Sequence, residues 1–328
     1  MRFDIRYRTA FAYDDLVRES QNELRVCPTS DDAQQLVSYR VSTSPSARVL
    51  SFGDYWGTRV DAFGVREPHL SLEVVAEASV DTKQRRLLTA APRTETLAEP
   101  GFVDEHVEHL ERSPHTDWGD GVHRAAEQAA SLGGPGVVSQ VLAVHRFVHA
   151  ALAYAPGATA IGIEVEEVLA RGEGVCQDYA HLAVAMCRSI GIPARYVSGY
   201  LFTISDASGA DSVADVVRVQ THAWFEAAIP AFGWLALDPT NQQEVGLRHV
   251  KIGHGRDYDD VPPLRGVFAG GAVPAVDVTV EIRRTMVPNA TRRDGPRSAA
   301  ERPLAAHIHR LVGDDDDDQS LQQQQQQQ

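Results

Sequence analysis

The sequence predicts an α+β protein in which a small β-rich domain precedes a core where a helix leads into antiparallel strands. Three observations carry this. Phe3, Ile5 and Tyr7 alternate with Arg2, Asp4 and Arg6, and Leu70, Leu72, Val74 and Ala76 repeat the period of two, as half-buried strands do. From Val137 the period changes, and Val138, Val141, Leu142, His145, Val148 and Leu152 fall on one broad helical face. Strand-like segments then follow at 194–203, 217–228 and 234–237.

Residues 1–84 read as the β-rich domain, with turn clusters at Pro28 to Asp32, at Ser44, Pro45 and Ser46, and at Phe63 and Gly64. Residues 85–136 read as a helical connector. Alternation stops there, Pro92, Pro100, Pro114 and Pro135 interrupt the segment, and short helices are expected at 103–111 and 121–131. Residues 137–288 form the core domain. Its first helix stops at Pro156 and Gly157, and a second at 165–170 stops at Gly172. A third runs from Cys176 towards Gly191, with Asp178 in its first turn and Arg188 in its last, as the helix dipole favours. The loop at 204–215 is polar, acidic and glycine-containing. Val276, Val278, Val280 and Ile282 alternate once more, in a strand that either returns to the N-terminal domain or extends the core sheet. Residues 289–328, rich in arginine and proline, then aspartate, then glutamine, cannot bury apolar surface and are expected to be disordered.

A hydrophobic content of 43% is enough for a real core. The net charge of −14 argues against nucleic acid and anionic membrane as partners. Five of those negative charges belong to the aspartates at 314–318, and the rest of the chain is still acidic. Three cysteines, Cys27, Cys176 and Cys187, do not make a disulfide framework. With no apolar leader in MRFDIRYRTAFAYDD and no stretch of roughly 20 apolar residues, a cytoplasmic location is expected.

Cys176 stands out chemically. A thiol at a helix N-terminus is activated as thiolate, and the first-turn amides can stabilise an oxyanion. The bland alternative is a small buried core residue. Cys176 and Cys187 would lie roughly 16 Å apart on one helix, too far for a disulfide or a shared metal. His181 points to another face, so no metal cluster is expected on this helix. Cys187 and Cys27 read as structural. A cysteine nucleophile needs a base and an orienting group. His222, on a strand, and Asp238, at the end of the next, can supply them. Glu226 is a weaker orienter, and Trp224 and Trp234 read as packing.

Two segments, GVCQDYAHLAVAMCRSIGIPARYVSGY and THAWFEAAIPAFGWLALDPTN, resemble the core of the transglutaminase-like superfamily. The resemblance implies a papain-like arrangement, with a Cys at a helix N-terminus and His and Asp on antiparallel strands. It assigns Cys176 as nucleophile, His222 as base and Asp238 as orienter. The segment from Gly255 to Gly266, GRDYDDVPPLRG, is similar to one found in a bacterial subgroup that carries an extra N-terminal β domain, so the likeness runs from Met1 to about Arg284. Arg256 and Asp257 could line the cleft, or the segment could be a loop held by its own salt bridge. Tyr154 can be offered for the oxyanion role of an aromatic residue upstream of the cysteine.

The implied reaction is acyl transfer at a peptide or protein amide through a thioester, resolved by water (a peptidase or amidase) or by an amine (a transglutaminase). No cofactor and no metal are expected. With no EF-hand-like loop in view, the expectation leans to hydrolysis. The alternatives are a peptide-binding module that keeps the fold without catalysis, and a scaffold acting through the acidic tail.

Overall fold

The chain opens with six strands, β1 (Arg2–Val17), β2 (Glu19–Leu24), β3 (Gln34–Ser44), β4 (Val49–Gly53), β5 (Arg59–Val65) and β6 (His69–Thr82). Phe3, Ile5 and Tyr7 point inward while Asp4 and Arg6 are exposed, as their alternation predicts. Leu70 departs from its pattern. It is exposed where the register between β1 and β6 shifts. The computed structural model describes residues 1–85, 92–159, 162–203 and 216–285. The acidic loop at 204–215 and the tail expected to be disordered lie outside the described residues.

Three helices follow, α1 (Pro100–His106), α2 (Asp120–Gly133) and α3 (Val137–Ala151). The first starts earlier than the expected 103 because Pro100 occupies its first turn, where a missing N–H costs nothing. The short strand β7 (Ala153–Tyr154) comes next, then α4 (Val165–Arg171) and the equally short β8 (Glu173–Gly174), which pairs in parallel with β7. Helix α4 stops at Gly172, whose φ of +70° suits glycine. Helix α5 (Cys176–Ser189) is buried at every residue from Asp178 to Arg188. A helix covered on all sides is the centre of a core rather than a surface element.

The remaining strands are β9 (Ala194–Leu201), β10 (Val216–Val219), β11 (Thr221–Ile229), β12 (Gly233–Asp238), β13 (Gln243–Glu244), β14 (His249–Gly255), β15 (Leu264–Ala269) and β16 (Pro274–Thr285). The core sheet has the order β13-β12-β11-β9-β14. Phe225, Ala227, Ile229, Leu235 and Leu237 cover α5 from one side, and α2, α3 and α4 cover it from the other. Tyr200, Phe202, Val250 and Ile252 pack instead with Phe3, Leu72 and Val280, joining this sheet to the N-terminal strands.

Those N-terminal strands form two sheets, β10-β16-β1-β6-β3 and β15-β2-β5-β4. The alternation at 276–282 therefore returns to the N-terminal region, as β16 beside β1. The strand expected at 217–228 is two strands broken at Gln220. β10 pairs with β16, whereas β11 pairs with β9. Burial explains the division. β10 has exposed and half-buried residues, while β11 is buried at every residue after Thr221. No glycine or proline marks the break, so the sequence reads as continuous. Met1–Thr285 pack as one unit.

Candidate active site

Cys176 is the first residue of α5 and is half-buried. Asp178 holds the helix entrance. Its Oδ2 accepts the Val175 N–H at 2.8 Å and the Thr159 hydroxyl at 2.6 Å, and its own N–H donates to the Val175 carbonyl at 2.8 Å. This is a reciprocal cap. Gly174 is required beside it, because a Cβ there would stand 2.8 Å from Asp178 Oδ2. Asp178 is thus more than a favourable charge near the dipole. Tyr154 pairs with Gly174, two residues before Cys176, and the Ala155 N–H donates to the Gly174 carbonyl at 3.0 Å.

His222 stands at the start of β11 and Asp238 at the end of β12. Leu237 pairs with Phe225, so Asp238 falls beside Trp224 on the face that His222 shares. His222 Nε2 and Asp238 Oδ2 are 2.8 Å apart, and Cys176 stands near enough to His222 to help raise its pKa. The structure therefore brings Cys176, His222 and Asp238 together at the entrance of α5.

Asp238 is fully buried and surrounded by donors. Its Oδ1 accepts the backbone N–H groups of Thr240 and Asn241 at 3.1 and 3.2 Å. Its Oδ2 accepts Asn241 Nδ2–H at 2.8 Å and His249 Nε2–H at 3.2 Å as well as His222. Burial alone would raise the Asp238 pKa, but the two histidines hold it well below the usual carboxylate range. Burial alone would lower the His222 pKa. The Asp238 charge and hydrogen bond, with a further contribution from Cys176, outweigh it and raise the imidazole to about 10. His249 is neutral: the Gly246 N–H donates to its Nδ1 at 3.2 Å, and burial lowers its pKa.

Sequence reasoning missed His249 and Asn241. It also missed how α3 holds the end of β12. His145 Nε2–H donates to the Asp238 carbonyl at 2.9 Å, and His149 Nδ1–H donates to the Pro239 carbonyl at 3.0 Å. The available signal was a histidine within the apolar face of α3, where a buried imidazole needs a partner.

Cys176 and Tyr258 pack against a cluster of Ala180, Tyr196, Ala223 and Val261. The Gly255 to Gly266 segment thus contributes Tyr258 and Val261 here, while Arg256 pairs with Asp260 at 3.0 Å. Glu226 does not orient His222. It is bound by Arg195 at 2.6 Å and Lys251 at 2.7 Å. Trp224 is wholly buried, and Trp234 lies under the Arg195 guanidinium at 3.8 Å. Cys27 and Cys187 are buried, which pushes both thiols up to about 12. His222, Asp238 and His249 could in principle ligate a metal, but both imidazole protons are already given to Asp238.

Comparison with known proteins places the chain. Residues 124–239 match the model of the transglutaminase-like superfamily, and residues 3–81 match the bacterial transglutaminase-like N-terminal region. An uncharacterised protein of Mycobacterium leprae is 35% identical over 283 residues, covering 86% of this chain and 99% of its own. The chain belongs to the transglutaminase-like superfamily. A protein-glutamine gamma-glutamyltransferase of Pseudomonas aeruginosa is 33% identical over 132 residues, covering 37% of this chain and 19% of that enzyme. The crystal structure of a candidate cysteine protease from Cytophaga hutchinsonii shares the fold at a TM-score of 0.67 and 23% identity, covering 88% of this chain and 92% of that one. Among the described residues no helix is long and apolar enough to cross a membrane.

Proposed function

We propose that this member of the superfamily is a cysteine-dependent acyl-transfer enzyme acting on amide bonds of peptides or proteins. The observation that carries the reading is Cys176 at the entrance of α5 beside the hydrogen-bonded pair of His222 and Asp238. Cys176 attacks the carbonyl carbon, and first-turn amides of α5 stabilise the oxyanion. His222, protonated at Nδ1, gives that proton to the leaving amine, and a thioester with Cys176 remains. Water or a second amine then attacks the thioester. His222 takes the incoming proton and returns it to the departing thiol. Asp238 keeps the imidazole in one tautomer and stabilises its charged form.

The test is turnover of glutamine-containing peptides, with and without a primary amine, by wild type and Cys176→Ala. Mass spectrometry should find an acyl adduct on Cys176, and the product, free acid or new amide, separates hydrolysis from amine transfer. A Cys176→Ala protein as active as wild type would overturn the reading.

A further inference from the structure

The turn at Tyr258–Asp260 brings two carboxylates against a histidine from the connector. His115, Asp257 and Asp259 each offer a ligand atom, all within 4.8 Å of one another. His115 is 8% exposed, and its Nε2 has no hydrogen-bond partner. That nitrogen lies 3.2 Å from Asp259 Oδ1 without making a hydrogen bond to it. A buried ring nitrogen left in this state calls for an explanation. The separation also matches the roughly 3.3 Å between two ligands of a tetrahedral ion with arms of about 2.0–2.1 Å.

The surroundings hold these groups in place. Asp257 Oδ2 accepts the His115 backbone N–H at 3.2 Å, and its Oδ1 accepts the Asp259 N–H at 3.0 Å. Each oxygen keeps a further lone pair. The His115 ring stacks on His181 at 5.1 Å and 8°. Arg188 ties both segments to α5, donating to the Glu111 carbonyl at 2.9 Å, Thr116 Oγ1 at 2.8 Å and the Arg256 carbonyl at 2.8 Å. Arg256 is paired with Asp260. The Asp259 side chain is 61% exposed, giving an ion a route in and room for water ligands.

We propose that His115, Asp257 and Asp259 bind a divalent transition-metal ion of the Zn²⁺ or Mn²⁺ kind. One imidazole nitrogen and two carboxylates suit these ions better than Mg²⁺ or Ca²⁺, which take oxygen throughout. Asp257 and Asp259 sit in an Asp-Tyr-Asp triplet outside any EF-hand pattern, so a search for such loops passes over them. The bound ion fastens the turn carrying Tyr258 to the connector. It therefore stiffens one wall of the cluster against which Cys176 packs.

The test is calorimetric titration of full-length protein, stripped of metal and carrying Cys176→Ala, with ZnCl₂ and separately with MnCl₂. One ion should bind per chain and raise the melting temperature. His115→Gln and Asp259→Asn should each weaken binding by roughly tenfold or more. Pulsed EPR of the Mn²⁺ form should show an imidazole nitrogen coupling that His115→Gln removes. If His115→Gln does not fold, Asp259→Asn, whose side chain is largely in solvent, decides alone. Variants that bind as the parent does would overturn the proposal, as would binding of Ca²⁺ or Mg²⁺ without Zn²⁺ or Mn²⁺. The contact would then be an ordinary ion pair.

Discussion

His249 donates Nε2–H to the Asp238 oxygen that also takes His222, at 3.2 Å beside 2.8 Å. The Gly246 N–H on its other nitrogen fixes that tautomer. His249→Leu should therefore leave a buried carboxylate one donor short. The expected cost is about 1.5–3 kcal/mol in urea unfolding. A roughly tenfold fall in kcat/KM should accompany it, equivalent to about 1.4 kcal/mol, mostly in kcat because His249 acts through Asp238. His249→Gln, which keeps a donor, should recover most of both. Equal loss in the two variants would mean that the ring is needed for packing alone.

Asp178 fixes where Cys176 stands. Asp178→Ala frees the Val175 N–H and the Thr159 hydroxyl at once. Loss of such a cap costs about 1 kcal/mol and up to about 2. The larger effect should be on turnover, because a displacement of about 1 Å can cost 10²-fold. Gly174→Ala should imitate it by pushing the carboxylate away. Melting curves and steady-state kinetics on both variants check this, and a variant that melts early but turns over normally would contradict it.

Much of the frame is legible from residue periods and breakers. Phe3 to Tyr7 show β1, the spacing from Val138 to Leu152 shows α3, and Gly172 marks the end of α4. Cys176, His222 and Asp238 were visible as residue types suited to one chemistry, and the family resemblance gave them an order. The donors around Asp238 were not visible. Asn241 reaches the carboxylate through the turn after β12, but only packing of α3 under β12 brings His145 to the Asp238 carbonyl, and only pairing of β9 with β14 brings His249 to the carboxylate. The break at Gln220 was hidden for a related reason. Two sheets share a single apolar run there, and which neighbour each half pairs with is a tertiary fact. Glu226 offers itself as a weaker orienter because it sits on the His222 face of β11, where Arg195 and Lys251 claim it.

The raised pKa of His222 gives stability a definite pH dependence. An imidazole raised from 6.5 to about 10 by Asp238, against the opposing effect of burial, contributes stability that is complete below pH 6.5. That contribution is lost as pH rises towards 10. Wild type should therefore become easier to unfold in urea across that window, and Asp238→Asn should lose much of this slope. The alkaline limb of turnover should also fall near pH 10, since the leaving amine takes its proton from His222. A limb centred near 6.5 would show that Asp238 does not hold the imidazole charged.

Glu226 lies between the half-buried Arg195, with Nη2 at 2.6 Å, and the buried Lys251, with Nζ at 2.7 Å. Burial opposes its charge, yet Lys251 and Arg195 depress its pKa far below the ordinary carboxylate value. Glu226→Gln keeps the shape and removes the charge, leaving the buried Lys251 and the half-buried Arg195 without their counter-charge. Breaking a buried pair in this way costs about 3–5 kcal/mol. A depressed carboxylate contributes stability above its unfolded pKa, about 4.3, and loses it as pH falls towards the folded value. The gap between wild type and Glu226→Gln should therefore be full at pH 7 and narrower by about 1 kcal/mol at pH 3.5. Urea unfolding at the two pH values measures it. An equal gap at both would mean that the amide fails through shape or hydrogen bonding, not through the missing charge.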